Sequence, residues 1–367
     1  MNPSNPVQTK RQSLIVAGGG TGGHVLAGVA IADAWKQTTP GSKITFVGAR
    51  GGIEERLVPR AGYPLRLLSL GALKGVSVAK RIKTVIKLPL SLFNSAVILF
   101  RERPSAVVGV GGYASGPLVL MARLVGWMWG VRVAILEQNA VPGFTNRVLG
   151  RFAHFVLSAF PGVENRFPRG KVRVSGNPVR EAMKPMPSAP RDPFTIFIFG
   201  GSQGALGINS LVLDAIPFLE DLKPRLRFIH QTGEKDLDRV VEGHRKLGTQ
   251  ARVEKFIYDM PECYGASSLL VCRAGSSTLA EIAAVGRASV LVPFPYAADD
   301  HQQKNAELFV NAGAARLLVQ FKSKGEDLAR VIRELVADSS KVESMERSVR
   351  AFYRPQAALD VVKALKS

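Results

Sequence analysis

One local plan occurs twice in this chain of 367 residues. An apolar run enters a cluster of glycines, and a helix-forming run follows at once. The first copy, SLIVAGGGTGGHV, begins at Ser13; the second, FTIFIFGGSQGA, begins at Phe194. Short continuous apolar runs suit strands buried on both faces, as in a parallel sheet. Glycines let backbone approach a ligand closely. A helix N-terminus just behind them offers free N–H groups to an anion. Between the copies lies EAMKPMPSAPRDP, with prolines at 185, 187, 190 and 193 and no periodicity, which predicts a linker. The expected architecture is α/β: two doubly wound domains facing a cleft, over residues 1–180 and 194–367, joined by 181–193. The length fits two domains better than one.

In the first half, the strand 13–17 runs into the loop 18–24, and a helix is expected over 25–37. Gly18, Gly20 and Gly23 satisfy G-x-G-x-x-G. A dinucleotide fold would place an acidic residue at the end of the next strand. That strand, 43–47, runs instead into Gly48, Ala49 and Arg50, with no acid before Glu54. This disfavours NAD, and Arg50 leaves NADP open. No Walker-type phosphate loop is present. His24 opens the helix at the crevice, where structural and catalytic roles are both open. A second glycine loop, GGYASGP, follows the strand 106–110. A polar loop, EQNAVPGFTN, follows the strand 132–136, and its amides suit sugar hydroxyls. Residues 73–103 differ from their surroundings. Lys74, Lys80, Arg81, Lys83 and Lys87 precede a charge-free run over 88–100. That run is too short to span a bilayer, and Pro89 is expected to interrupt it. It suits a segment lying on anionic lipid, or an amphipathic helix packed on the sheet.

In the second half, strands are expected at 194–199, 227–231, 252–256, 269–271, 289–292 and 314–318. A helical tail from 325 follows, whose last helix is a candidate to pack back on the first domain. The stretch from Leu270 to Asn305 carries the densest chemistry. Ser276, Ser277 and Thr278 open a helix over 278–285, with Glu281 inside it and Gly286 as its C-cap. Asp299, Asp300, His301, Gln302 and Gln303 mark another strand-to-helix junction. The formal charge of +20, from 49 basic and 29 acidic residues, implies an anionic partner. Nucleic acid is disfavoured, because no recognition motif is present and aromatic residues are only 7%. Cys263 and Cys272 fit no metal or redox spacing and read as reduced core thiols. No apolar stretch long enough for a signal peptide precedes the first glycines.

The motifs GGGTGGHV, GGYASGP, EQNAVPGFTNR, GNPVR, GGSQGA and RAGSSTLAEIAAVGR…DHQQKNA occur in that order over residues 13 to 353. Together they resemble the MurG family of bacterial transferases. The resemblance implies a GT-B fold, two Rossmann-like domains around a deep cleft. It implies transfer of N-acetylglucosamine from UDP-N-acetylglucosamine to the 4-hydroxyl of lipid I, giving lipid II for peptidoglycan, with inversion at the anomeric carbon. It also implies that no metal or other cofactor takes part. The enzyme would be peripheral on the cytoplasmic face of the cell (inner) membrane, with other cell-wall synthesis or division proteins as candidate partners.

Residue by residue, Glu281 would bridge the ribose hydroxyls, while Ser202, Ser276, Ser277 and Thr278 would meet the diphosphate. Ile257 would meet uracil through its backbone. Gln302 and Gln303 would hold the sugar, and Arg180 would reach in from the hinge. Thr21, Gly22, Gly23 and Asn139 would cover the sugar and the acceptor diphosphate. The family usually has a histidine where this chain has Leu136, which leaves His24 and Glu137 as candidate bases. A related transferase with another lipid or natural-product acceptor would share the C-terminal motifs. A sugar-nucleotide epimerase would share the two-domain plan without the basic apolar segment. A non-catalytic scaffold would not need intact donor motifs.

Overall fold

The computed structural model describes residues 12–69, 78–188, 191–201 and 203–367, and only the backbone within 78–87. Ser202, Lys74 and the side chains of Lys80, Arg81, Lys83 and Lys87 therefore lie outside the described residues.

The first domain carries β1 (Ser13–Gly18), β2 (Lys43–Ala49), β3 (Leu65–Leu68), β4 (Ala106–Gly111), β5 (Arg132–Glu137), β6 (Phe155–Ser158) and β7 (Val172–Val174). They form one parallel sheet in the order β3-β2-β1-β4-β5-β6-β7. Its helices are α1 (Gly22–Thr38), α2 (Glu54–Arg60), α3 (Val78–Glu102), α4 (Ser115–Val125) and α5 (Phe144–Leu149). The second domain carries β8 (Phe194–Phe199), β9 (Leu226–Gln231), β10 (Ala251–Glu254), β11 (Leu269–Cys272), β12 (Ser289–Leu291) and β13 (Ala315–Leu317). These pair in parallel as β10-β9-β8-β11-β12-β13. Around them lie α6 (Leu206–Ala215), α7 (Leu237–Lys246), α8 (Met260–Ala266), α9 (Ser276–Val285), α10 (His301–Asn311), α11 (Gly325–Ala337) and α12 (Ser339–Arg350), and α13 (Ala357–Lys366) follows them in the chain. Both sheets are of the expected doubly wound kind. Each reverses strand order once, at β1/β4 and at β8/β11, and such a switch point opens the crevice where ligands bind.

The alternation along β1 builds two cores. Leu14 and Val16 face α1, packing with Ile31 and Trp35, whereas Ile15 and Ala17 face the opposite layer with Leu118 and Val119 of α4. Helix α13 joins the first of these cores. Its Val361, Val362 and Leu365 are buried with Trp35, and Lys366 bonds Thr38 and Thr39 at the end of α1. Each buried Val or Leu contributes about 1.5–3 kcal/mol, so α13 belongs energetically to the first domain. The linker is held on the second domain: Arg287, 1% exposed, donates to the Pro187, Tyr264 and Gly265 carbonyls.

Three local features depart from expectation. Helix α1 starts at Gly22, capped by Thr21, so Gly22, Gly23 and His24 form its first turn. Helix α3 continues through Pro89; a proline removes one helical hydrogen bond, and a helix of 25 residues retains the others. The α2–β3 unit follows the glycines at 48, 51 and 52 and has no counterpart in the sequence reading, because EERLVPR carries a proline and only two aliphatic side chains.

Candidate active site

The first wall of the cleft is built at the β1/β4 switch point. Gly19 N–H donates to the Gly111 carbonyl at 3.2 Å. A Cβ on Gly112 would stand 2.2 Å from the Gly19 carbonyl oxygen, so the two glycine loops lie backbone against backbone where no side chain fits. Thr21 Oγ1 accepts from His24 N–H at 3.4 Å and starts α1. The turn brings the imidazole back over its own loop, where Nδ1 meets the Gly19 carbonyl at 3.1 Å. A carbonyl only accepts, so Nδ1 carries the proton and Nε2 keeps its lone pair. Nε2 lies beside Gly111, where a Cβ would come within 2.7 Å. Burial pushes the His24 pKa down; the Gly19 carbonyl opposes this, the charge of His301 adds to it and that of Glu54 opposes it. The ring is thus set as a neutral imidazole, the form that takes up a proton.

Glu137 is placed differently. It is 1% exposed. One oxygen accepts from the Asn139 backbone N–H at 2.9 Å and from its side chain at 3.4 Å. The other accepts from Gly143 N–H at 3.1 Å and Asn146 Nδ2 at 2.9 Å. Burial raises its pKa and these donors oppose the rise. Both oxygens are engaged beneath the polar loop, so this geometry does not offer Glu137 to a substrate hydroxyl. It shapes the loop that carries Asn139.

That loop reaches the second domain. Asn305 of α10, fully buried, donates to Asn139 Oδ1 at 3.1 Å and accepts from Ala140 N–H at 2.9 Å. Ser276 Oγ donates to Gln138 Oε1 at 3.5 Å. Gln138 Nε2 is buried without a partner among the described residues, an orphan donor at the seam between the domains. Gly23 of α1 faces α9, and a Cβ there would come within 2.4 Å of Ser277 Oγ. Asn305, which ends DHQQKN, escaped the sequence reading, and Gln138 was read only as one of the loop amides suited to sugar hydroxyls; the contact of both across the domains was missed.

The second wall is the N-terminal turn of α9, with Ser276, Ser277 and Thr278 following the extended Gly275. Glu281 is 8% exposed. Its Oε1 accepts from Arg180 at 3.1 Å and its Oε2 from the buried Tyr264 hydroxyl at 3.1 Å. The structure therefore brings Arg180 and Glu281 together across 101 positions. Ile257 N–H is bonded to Gln231 Oε1 at 2.9 Å, and Gln231 also donates to the Gly201 carbonyl at 2.8 Å. The Ile257 N–H is thus engaged within the protein, and its carbonyl is the backbone group left to a base expected there. Gln302 accepts from Phe294 N–H at 2.9 Å, and Gln303 donates to Glu307 at 3.2 Å. Asp299 and Asp300 precede α10 with φ of 55° and 51°. Consecutive left-handed residues with side chains carry strain, a condition that clusters at ligand sites. No cluster of three or more metal-ligating side chains occurs among the described residues.

Comparison with known proteins matches both halves. Residues 14–158 fit the family model "Glycosyltransferase family 28 N-terminal domain" and residues 195–360 the "Glycosyltransferase family 28 C-terminal domain". A protein of Citrifermentans bemidjiense is 45% identical over 358 residues, covering 96% of this chain and 99% of its own length. One from Myxococcus xanthus is 44% identical, covering 95% and 91%. Both are named "UDP-N-acetylglucosamine--N-acetylmuramyl-(pentapeptide) pyrophosphoryl-undecaprenol N-acetylglucosamine transferase". The crystal structure of Acinetobacter baumannii MurG superposes with a TM-score of 0.75 at 32% identity, covering 97% of this chain and 99% of that one. A UDP-GlcNAc 2-epimerase from Neisseria meningitidis superposes at 0.68 with only 13% identity, which shows the shared two-domain fold alone. With both domains matched and relatives aligned along nearly the whole length, the chain belongs to glycosyltransferase family 28, as a GT-B enzyme of the MurG family.

Proposed function

We propose that the two walls divide a single displacement between them: the second holds UDP-N-acetylglucosamine and the first activates lipid I. The observation that carries this is the convergence of a neutral His24, whose Nε2 has no partner among the described residues, on the N-terminal turn of α9, through the Gly23–Ser277 approach. The 4-hydroxyl of the acceptor muramoyl sugar gives its proton to Nε2 as its oxygen bonds to the anomeric carbon. The bond from that carbon to the diphosphate oxygen breaks, UDP leaves, and the configuration inverts from α to β. The N–H groups and hydroxyls of Ser276–Thr278, at the positive end of the α9 dipole, take up the charge developing on the diphosphate. Glu281 accepts from the ribose hydroxyls, which replace part of its present bonding to Arg180 and Tyr264. The Ile257 carbonyl meets the base, and Gln302 and Gln303 meet the sugar. Thr21, Gly22, Gly23 and Asn139 border the acceptor diphosphate, with Glu137 fixing the loop beneath Asn139.

The test is turnover of UDP-N-acetylglucosamine with a lipid I analogue. The β-1,4-linked disaccharide is the expected product. Free UDP without disaccharide, or UDP-N-acetylmannosamine, would overturn the reading.

An anionic membrane surface is the proposed platform. No described helix is long and apolar enough to cross a membrane. Yet Leu90, Phe93, Phe100, Leu124, Trp127 and Met128 are all exposed on α3, α4 and the turn after it. Beside them a concavity of about 330 Å³ is lined by Arg123, Trp127, Arg132 and His154. Apolar side chains next to cations suit the headgroup boundary. Phe93→Glu with Trp127→Glu should release the protein from phosphatidylglycerol vesicles; sedimentation unchanged from the parent would refute the platform.

A further inference from the structure

We propose that Glu54 is a positioning residue for His24, acting through the single peptide group that joins Gly19 to Gly20. The inference rests on the reading of His24 as the base. Glu54 is fully buried at the start of α2. Its Oε2 accepts from Gly20 N–H at 2.9 Å, and its Oε1 from Ala49 N–H at 2.9 Å. The carbonyl of that same 19–20 peptide is the acceptor for His24 Nδ1–H at 3.1 Å. In a trans peptide the N–H and C=O point in opposite directions. Carboxylate, peptide and imidazole therefore form one chain of hydrogen bonds, with the peptide in the middle.

Hydrogen bonds in such a chain polarise one another, by about 10–30% per bond. The carboxylate draws on the peptide N–H, the carbonyl oxygen becomes a better acceptor, and the proton is held on Nδ1. Nε2 is then left as the basic nitrogen. In serine hydrolases a carboxylate does this by touching the imidazole directly. Here an intervening peptide weakens the effect and leaves the ring neutral. The negative charge of Glu54 also supports the His24 pKa against its burial and against His301.

The carboxylate has a purpose-built cradle. A Cβ on Gly19 would stand 2.0 Å from its Oε1, one on Gly48 2.5 Å from its Cγ, and one on Gly52 2.2 Å from its Oε2. Three glycines, one in the first loop and two around the end of β2, leave room for this one side chain, and its two acceptor oxygens face two N–H donors. A residue serving only to fill space would not require a charged group in a fully enclosed position.

The experiment compares the parent chain, Glu54→Gln and His24→Ala. In the parent, ring ¹⁵N shifts of His24 should report the Nδ1–H tautomer. A majority Nε2–H tautomer overturns the proposal even if Glu54→Gln fails to fold. In folded Glu54→Gln, the amide must set an N–H₂ against one of two N–H donors. kcat should fall by about 10–100-fold, the scale on which outer partners of histidine ligands act, with KM for UDP-N-acetylglucosamine within about twofold. Among the described residues the charged groups acting on His24 are His301 from α10 and Glu54 from α2. Losing the Glu54 charge should therefore move the acidic limb of kcat/KM, and the His24 ring titration, to lower pH. A fall in melting temperature with the ring titration and tautomer unmoved means a purely structural Glu54 and overturns the proposal. His24→Ala separates the two readings. If it keeps parental turnover while Glu54→Gln shifts the His24 ring, the relay stands and the base assignment falls. If it abolishes turnover while Glu54→Gln leaves the ring unmoved, the base stands and the relay falls.

Discussion

The two walls of the cleft have the same local plan and opposite states of readiness. On the first, backbone and Glu54 satisfy the loop internally, and the Nε2 of His24, without a partner among the described residues, is the proposed base. On the second, the side chains assigned to the donor already hold protein partners: Glu281 has Arg180 and Tyr264, Gln302 has the Phe294 N–H, and Gln303 has Glu307. A preformed wall suits proton transfer, where misplacement by an ångström is costly. A wall of exchangeable partners suits a ligand that must be bound and released each cycle, because its hydrogen bonds replace others of similar strength.

The sharpest way to break this contrast is His24→Ala. Loss of a general base lowers turnover by about 10²–10⁴-fold, or about 3–5 kcal/mol of barrier, while KM for UDP-N-acetylglucosamine should hold. A raised KM with near-parental kcat would place His24 on the binding side.

A smaller effect comes from the support of the second wall. His230 and His244 are buried against each other at 3.1 Å, and His230 also bonds Asn209. Burial, then the charge of His244, pushes the His230 pKa down to about 3; burial pushes His244 down to about 4. An unfolded histidine titrates near 6.5. Between these values the unfolded chain binds more protons, so this stability is full above about pH 6.5 and is lost as pH falls toward 4 and 3. From pH 7 to pH 5 the pair should cost about 2–4 kcal/mol, read as a lower melting temperature with amide exchange rising first around β9 and α7. A flat melting profile over that interval would contradict the assignment.

Glu281→Gln tests the exchangeable wall itself. Weakening a charge-assisted contact costs about 1.5–3 kcal/mol, so KM should rise about tenfold or more with kcat changed little. Equal losses in kcat and kcat/KM would place Glu281 in the transition state instead. The smallest effect is expected at the seam. Arg60 of α2 lies over the Tyr258 ring at 4.6 Å and Arg56 over Phe256 at 5.8 Å, both crossing between domains. Arg60→Ala should favour the opened cleft by about 0.5–1 kcal/mol, a rise in KM of a few-fold at most. No change in KM or in the radius of gyration would remove this strap from the account.

The sheets were legible because buried parallel strands are written as apolar runs, and Ser13–Gly18, Phe194–Phe199 and Leu269–Cys272 each stand out against polar loops. Glu281, Gln302 and Gln303 were singled out as candidates through their place after a strand, and the structure puts them at the N-terminal parts of α9 and α10. Arg180 was read as reaching in from the hinge, but its bond to Glu281 was not, nor were the Tyr264 hydroxyl and the Phe294 N–H as partners, because contacts 101, 17 and 8 positions apart leave no local sign. Glu54 was read only as an acid too late to bind a ribose. Its role depends on contact with Gly20, 34 positions away, and its one trace in the sequence is the set of glycines at 19, 48 and 52. Helix α3 was misjudged at Pro89 because the local penalty of a proline is visible in sequence while the packing of a long helix is not.

Helix α13 has a consequence for how the molecule is made. The core around Trp35 includes Val361, Val362 and Leu365, and Lys366 closes on Thr38 across 328 positions. During synthesis, α1 emerges long before the helix that covers it. The domain translated first is therefore the one completed last, and its uncovered apolar face waits while the second domain forms. A nascent chain of this design has a long interval of exposure in which chaperones or the wrong neighbour can bind.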